Sequence, residues 1–279
     1  MINKYEGVIT AMAPIVHFGN EKTGSTPILR TIMLYYEEID EYVPVPYING
    51  NAIRGRLRRL LMKDFFDNIN VDTKQLPIKL YHIFFTGGAL ESTEETTGFI
   101  DLELRRQIRE LIVPLSVLGC AIGNQMIPGK LKVGHAWPIC KEYKQYLPPL
   151  LQNNPRAEMP VRTFTDEAFH TRKDDLKAER TEDEQAMQMK VDYECFIPGT
   201  QFYHWWALEF ANDVEKSCFG RIIELWSVSP YIGGKTATGD GLVKFEYQPL
   251  IPSSKIYLDF LKNKADDIAK LLAILGQVK

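Results

Sequence analysis

Five cations and two glycines crowd into residues 46–63, which read PYINGNAIRGRLRRLLMK. Arg54, Arg56, Arg58, Arg59 and Lys63 are all fixed positive charges at neutral pH. A glycine turn that opens a helix, with cations at its mouth, suits an anion such as a phosphate. A second stretch, residues 231–243, reads YIGGKTATGDGLV and sets Gly233, Gly234, Gly239 and Gly241 around Lys235, Thr236 and Thr238. Glycine lets backbone N–H groups approach a ligand closely and tolerates positive φ. An ammonium and hydroxyls beside such a backbone again suit a phosphate. Taken alone, the first stretch reads better as an ordinary amphipathic helix with a solvated basic face.

Catalytic alternatives fail on spacing. A P-loop, GxxxxGK[ST], would use Gly234, Lys235 and Thr236, but its first glycine would fall on Ser229. Gly239 and Gly241 also oppose the helix a P-loop must open. No Ser-His-Asp order, HExxH or dinucleotide fingerprint is present. His135, Cys140 and Cys120 match no paired zinc spacing and read as core residues. No metal ligand set and no cofactor is expected.

Elements must position these stretches. In residues 46–63, Asn49 or Asn51 can cap the helix, because a short polar side chain accepts first-turn N–H groups. Ile53, Leu57, Leu60, Leu61 and Phe65 fall at helical spacing and form an apolar stripe. Arg56, Arg59 and Lys63 share another face, and Arg54 and Arg58 flank the stripe. A first strand is predicted over 5–13 and a second over 31–36, with a polar loop (17–30) between them. The second strand leads into an acidic turn over 37–41. Residues 191–197 and 202–210 read as a hairpin turning at Pro198-Gly199-Thr200. Phe202, His204, Trp206, Leu208 and Phe210 alternate with Tyr203, Trp205 and Ala207, so this strand is covered on both faces. His204 reads as a satisfied core histidine. Helices are predicted over 214–228, with Ile222, Leu225 and Trp226 inward, and over 253–275; the glycine loop leads into a strand over 242–248. The order strand, helix, irregular insertion, hairpin, helix, strand fits an α+β, ferredoxin-like (RRM-like) βαββαβ core with large insertions. No RNP1 string of an RRM is present.

Composition sets the outer bounds. The 279 residues are 45% hydrophobic and 25% charged, ordinary for a globular protein. The formal net charge is −3, so any nucleic-acid site must be a local patch. Four cysteines without CxxC spacing, and no signal peptide, point to reduced thiols in a cytoplasmic protein. No apolar run is long enough to span a bilayer.

Together the two glycine stretches resemble the RAMP superfamily of prokaryotic CRISPR proteins, which carry a PxxGxxxRGxLR-like turn and helix near the N-terminus and a C-terminal glycine-rich loop. Here these are residues 46–58, from Pro46 through Gly50, Arg54 and Gly55 to Arg58, and residues 233–239. Within that superfamily the length and layout look like the subunit that polymerises along crRNA. The resemblance implies a single RAMP domain over 1–279. Its core would be 1–66 and 191–250. An insertion over 67–190 would include a thumb at about 156–190, and a C-terminal helix would close the chain at 253–275.

The thumb stretch alternates Arg156, Arg162, Arg172, Lys173, Lys177 and Arg180 with acids, and Phe164 and Phe169 interrupt them. Cations hold phosphates and rings stack on splayed bases. The RNA contacts implied are Asn20, Lys22, Asn51, Arg54, Arg58, Arg172, Lys173, Gly233, Gly234, Lys235 and Thr236. The partners implied are crRNA, target DNA or RNA through guide pairing, further copies of this chain head-to-tail, and other effector subunits, with no membrane. RNA-cleaving relatives of type III complexes carry an acid in a loop like 24–30. Here that loop has Ser25 and Thr26 and no Asp or Glu, and Glu21 is the outside candidate. This predicts a non-cleaving subunit of type I-D or type IV kind. The rivals are a metal-dependent type III endoribonuclease subunit and an unrelated α/β scaffold or enzyme.

Overall fold

The computed structural model describes residues 1–88, 102–123, 125–173 and 188–277. The chain begins with β1 (Ile2–Ala11), then a hairpin of β2 (Phe18–Thr23) and β3 (Thr26–Leu29), and a second of β4 (Thr31–Tyr36) and β5 (Glu41–Pro46). Helix α1 (Gly50–Asn68) follows, then α2 (Ile78–Phe85), α3 (Leu102–Leu111) and α4 (Val113–Leu118). Short strands β6 (Cys120–Ile122), β7 (Gln125–Ile127), β8 (Leu131–Val133) and β9 (Trp137–Pro138) lead to α5 (Pro149–Gln152). The ribbon β10 (Thr165–Lys173) and β11 (Gln188–Phe196) precedes β12 (Gln201–Glu209), α6 (Asp213–Val228), β13 (Val243–Gln248) and α7 (Lys255–Gln277).

The main sheet runs β13-β1-β12-β8 with every neighbour antiparallel, and β9 also pairs β12. With α1 between β1 and β8, and α6 between β12 and β13, this is the ferredoxin-like βαββαβ order of an α+β domain. The second strand of that unit is β8, from inside the stretch read as insertion. The expected hairpin of 191–197 with 202–210 does not form. One edge of β12 is taken by β1 and the other by β8 and β9, so β11 pairs β10 instead. The polar loop expected over 17–30 is likewise a hairpin, turning at Gly24, where φ is +62°.

Alternation sorts the two faces of the sheet. Tyr5, Ile9, Phe202, Trp206 and Leu208 point into the main core with α1, α6 and α7. There Ile53, Leu57, Leu61 and Phe65 are buried, as their helical spacing predicted, as are Ile222 and Trp226. His204 is buried on this face, with the Tyr247 hydroxyl 2.8 Å from its Nδ1. Phe210, expected to continue the face, leaves the strand and is exposed. The opposite face packs Tyr203 and Val8 against Val45, Ile139, Tyr143, Leu147 and Phe164. An RRM leaves this face open to stack bases; here β5 and residues 139–164 cover it. The four cysteines are buried and free. Burial pushes the Cys120 thiol up to about 12, so it is an inert packing group. Among the described residues, no group of three His, Cys, Asp or Glu side chains could hold a metal ion. Nor is any helix among them long and apolar enough to cross a membrane.

Candidate nucleic-acid interface

The first glycine stretch is the mouth of α1. Asn49 is the N-cap, and its Oδ1 accepts from the Asn51 N–H at 2.8 Å. Two histidines satisfy further N–H groups. Asn49 N donates to His17 Nε2 at 3.1 Å, and Gly50 N donates to His135 Nδ1 at 3.0 Å. An accepting ring nitrogen carries no proton, so both imidazoles are neutral in this arrangement. Burial, then Arg30 and His135, hold His17 down to about 4; burial also lowers His135. No acid stands in the first turn. The positive end of α1 is therefore capped without being neutralised. A Cβ on Gly50 would lie 2.3 Å from the Gly134 carbonyl oxygen, so only glycine fits there. Gly55 meets nothing nearer than the tip of Arg59 at 3.8 Å.

The arginines of α1 divide. Arg58 is 6% exposed and donates to the carbonyls of Leu118 at 2.8 Å, Gly119 at 2.7 Å and Phe84 at 3.3 Å. Arg54 is half-buried and also donates to the Leu118 carbonyl. Both were expected at the RNA; the structure turns them inward instead. The reason is local: α4 ends at Gly119, its last carbonyls have no helical partners, and the two guanidiniums supply donors. Burial lowers both pKa values, Arg58 to about 10, so it remains charged at neutral pH. Asn51 is exposed at the first turn.

The second glycine stretch folds back on the junction between β1 and β2. Gly234 N donates to the Val16 carbonyl at 2.8 Å, and Gly241 N to that of Pro14 at 2.7 Å. A Cβ on Gly233 would lie 2.3 Å from the Val16 oxygen, and its φ is +76°. Lys235 is left-handed, and its Nζ lies 4.0 Å from the centroid of the Tyr193 ring, a cation–π contact. Thr236 follows in a single turn of 3-10 helix. Asp240 is buried and accepts from the Tyr193 hydroxyl at 3.1 Å. That hydroxyl is also 2.8 Å from His170 Nε2. Burial and Asp240 push Tyr193 up to about 12. The glycine loop is thus pinned to the β10–β11 ribbon.

The ribbon includes two parts of the stretch expected to be a thumb, residues 165–173 and 188–190. Arg172 and Lys173 lie on β10, just beyond His170, in register with Met189 and Gln188. The side chains of both, and all of Lys177 and Arg180, lie outside the described residues. Asn20 and Lys22 stand exposed on β2. Asn20 borders a recess of about 260 Å³ with Gly19, Leu29, Arg30, Thr31 and Tyr47. Leu29 N donates to Glu194 on β11 at 2.7 Å, joining the β2–β3 hairpin to the ribbon.

Residues 14–18 join all three parts. Val16 holds the glycine loop, His17 caps α1, and the Phe18 ring packs edge-on at 6.2 Å against Tyr193 of the ribbon. The structure therefore brings Asn20, Lys22, Asn51, Gly233, Gly234, Lys235 and Thr236 onto elements meeting at one junction, and leaves Arg54 half-buried and Arg58 buried against the end of α4. Sequence reasoning missed His17, His135, Arg30, Tyr193 and Asp240. Their partners are 32 to 85 residues away in the helix caps alone, and no local pattern marks such pairs.

No family model and no curated protein matches the chain. Among solved structures, it matches a chain described as a Type IV-B CRISPR Complex with a TM-score of 0.60 and 18% identity, over 88% of this chain and 90% of that one. At that identity the likeness shows a shared fold: this chain has the fold of a subunit of a type IV-B CRISPR complex.

Proposed function

We propose that this chain is the crRNA-binding, self-assembling backbone subunit of a multi-subunit CRISPR interference complex. It holds the guide by phosphate and shape, and guide pairing supplies target specificity. The observation that carries this reading is the convergence at residues 14–18. There the α1 mouth, the glycine loop and the β10–β11 ribbon meet, with Lys235 on the glycine loop and Lys22 on the adjoining β2. The open face an RRM uses for bases is covered, so binding falls to these loops and edges. The fold shared with a type IV-B complex chain accords with the type IV character expected from the loop over 24–30. Ser25 and Thr26 in that loop cannot act as a base or hold a divalent cation as a carboxylate does, which favours holding over cutting. The test is binding of a guide RNA across a salt series. Wild type should bind tightly at low salt and lose affinity linearly in log–log form as salt rises. A chain that ignores RNA at low salt defeats the reading.

A further inference from the structure

The proposed function leaves two surfaces unused, and they lie on opposite sides of the sheet. On the side away from the helices, the β4–β5 hairpin buries Leu34, Val43 and Val45 against the sheet. Opposed residues of an antiparallel pair point the same way, so Met33 with Pro44 and Tyr35 with Tyr42 face outward. Met33 is 54% and Tyr42 67% exposed, and the two tyrosine rings lie 5.6 Å apart. Glu37 and Glu41 flank the turn, and neither has a cationic partner among the described residues.

On the helical side, α1 and α6 frame a groove with Leu60 and Leu225 in its lining and Arg56, Arg59 and Lys63 along it. Asp64 is taken by Arg221 and Asp67 by Lys63. Arg56 bonds the Ser229 hydroxyl, and neither it nor Arg59 has a carboxylate partner among the described residues.

We propose that the β4–β5 hairpin of one copy docks in the α1–α6 groove of the next. This rests on the backbone-subunit reading and names the surfaces that would join its copies. The match sets the outward Met33, Tyr35 and Tyr42 over Leu60 and Leu225, with Glu37 and Glu41 meeting Arg59; Arg56 already lies over the Tyr231 ring and bonds Ser229. Because the two patches differ and sit on opposite faces, the contact is heterologous and leaves a free hairpin and a free groove at the two ends of each row. The acids of the hairpin repel a phosphate backbone, so the exposed tyrosines are a protein surface and not a base-stacking platform.

Native mass spectrometry of copies per guide RNA tests this. Wild type should load cooperatively, leaving each RNA either bare or fully coated. A hairpin variant, Glu37→Gln with Glu41→Gln, and a groove variant, Arg59→Gln, should each load independently while nearly keeping single-copy affinity. An equal mixture should load in pairs, since one intact hairpin still meets one intact groove and the row then stops. Tyr42→Ala gives a second, uncharged test and should also lose cooperativity. Wild-type cooperativity in these variants would overturn the docking and leave the RNA reading standing. So would a mixture that never pairs, or a hairpin variant whose only defect is weaker RNA affinity. A wild type that binds no RNA would defeat the underlying reading.

Discussion

Truncating Arg58 separates a structural cation from an RNA-contacting one. Its two shorter bonds, at 2.8 and 2.7 Å to the Leu118 and Gly119 carbonyls, contribute roughly 1.5–3 kcal/mol each, and the 3.3 Å bond to Phe84 less. Against them stands desolvation, which lowers the pKa from 12.5 to about 10 and costs the charged form about 3 kcal/mol. Arg58→Ala removes that cost, but it orphans buried carbonyls and leaves a void where the aliphatic stem packed. The net expectation is a loss of about 2–4 kcal/mol, a fall in Tm of roughly 3–7 °C for a chain of this size. Arg58→Met keeps the stem without the charge and should lose less. The assay is thermal unfolding beside guide-RNA binding by the folded fraction, whose affinity should hold. An unchanged Tm with weakened RNA binding would refute the inward placement and return Arg58 to the RNA.

Further expectations follow from other residues. Gly50→Ala should be strongly destabilising, because its Cβ would lie 2.3 Å from a backbone oxygen, whereas Gly55→Ala should gain about 0.5–1 kcal/mol in denaturant unfolding. Stability should fall in acid. His17 has its folded pKa near 4, below an unfolded value of 6.5, so the unfolded chain binds more protons in that window. The His17 contribution is complete above about pH 6.5 and lost progressively toward pH 4, up to roughly 3 kcal/mol. His17→Gln, whose amide oxygen can still accept from Asn49 N, should flatten that part of a Tm–pH curve. Lys235→Ala should reduce the salt slope of RNA binding by about 0.7 for one lost single-strand phosphate contact, with Tm nearly unchanged. A labelled complementary RNA should be bound without evenly spaced cuts in magnesium; a ladder abolished by Glu21→Ala would establish the cleaving reading instead.

Much of the scaffold was legible because its signals are local. Ile53, Leu57, Leu61 and Phe65 recur at helical spacing and are buried, and the alternation from Phe202 to Leu208 sorts the two faces of β12 correctly. The βαββαβ order was legible too, yet the strand chosen for its second position was wrong. Residues 131–133 are too short to show a period, while the longer run over 191–197 has a strong β pattern that the ribbon satisfies instead. The split among the α1 arginines was illegible for a related reason. Arg58 lies beside the apolar stripe, and only the arrival of α4, some 60 residues later, decides that it is covered. Asp240 reads as one acid in a glycine loop until Tyr193 is seen above it.

The central claim is that the junction at residues 14–18 gathers an RNA track. Its most direct measurement is sedimentation of a labelled guide RNA with the purified chain at low and high salt. Multi-copy particles should form at low salt and dissolve as salt rises, with Lys22→Ala and Lys235→Ala dissolving earlier than wild type. Free RNA beside a monomeric chain at low salt would contradict it.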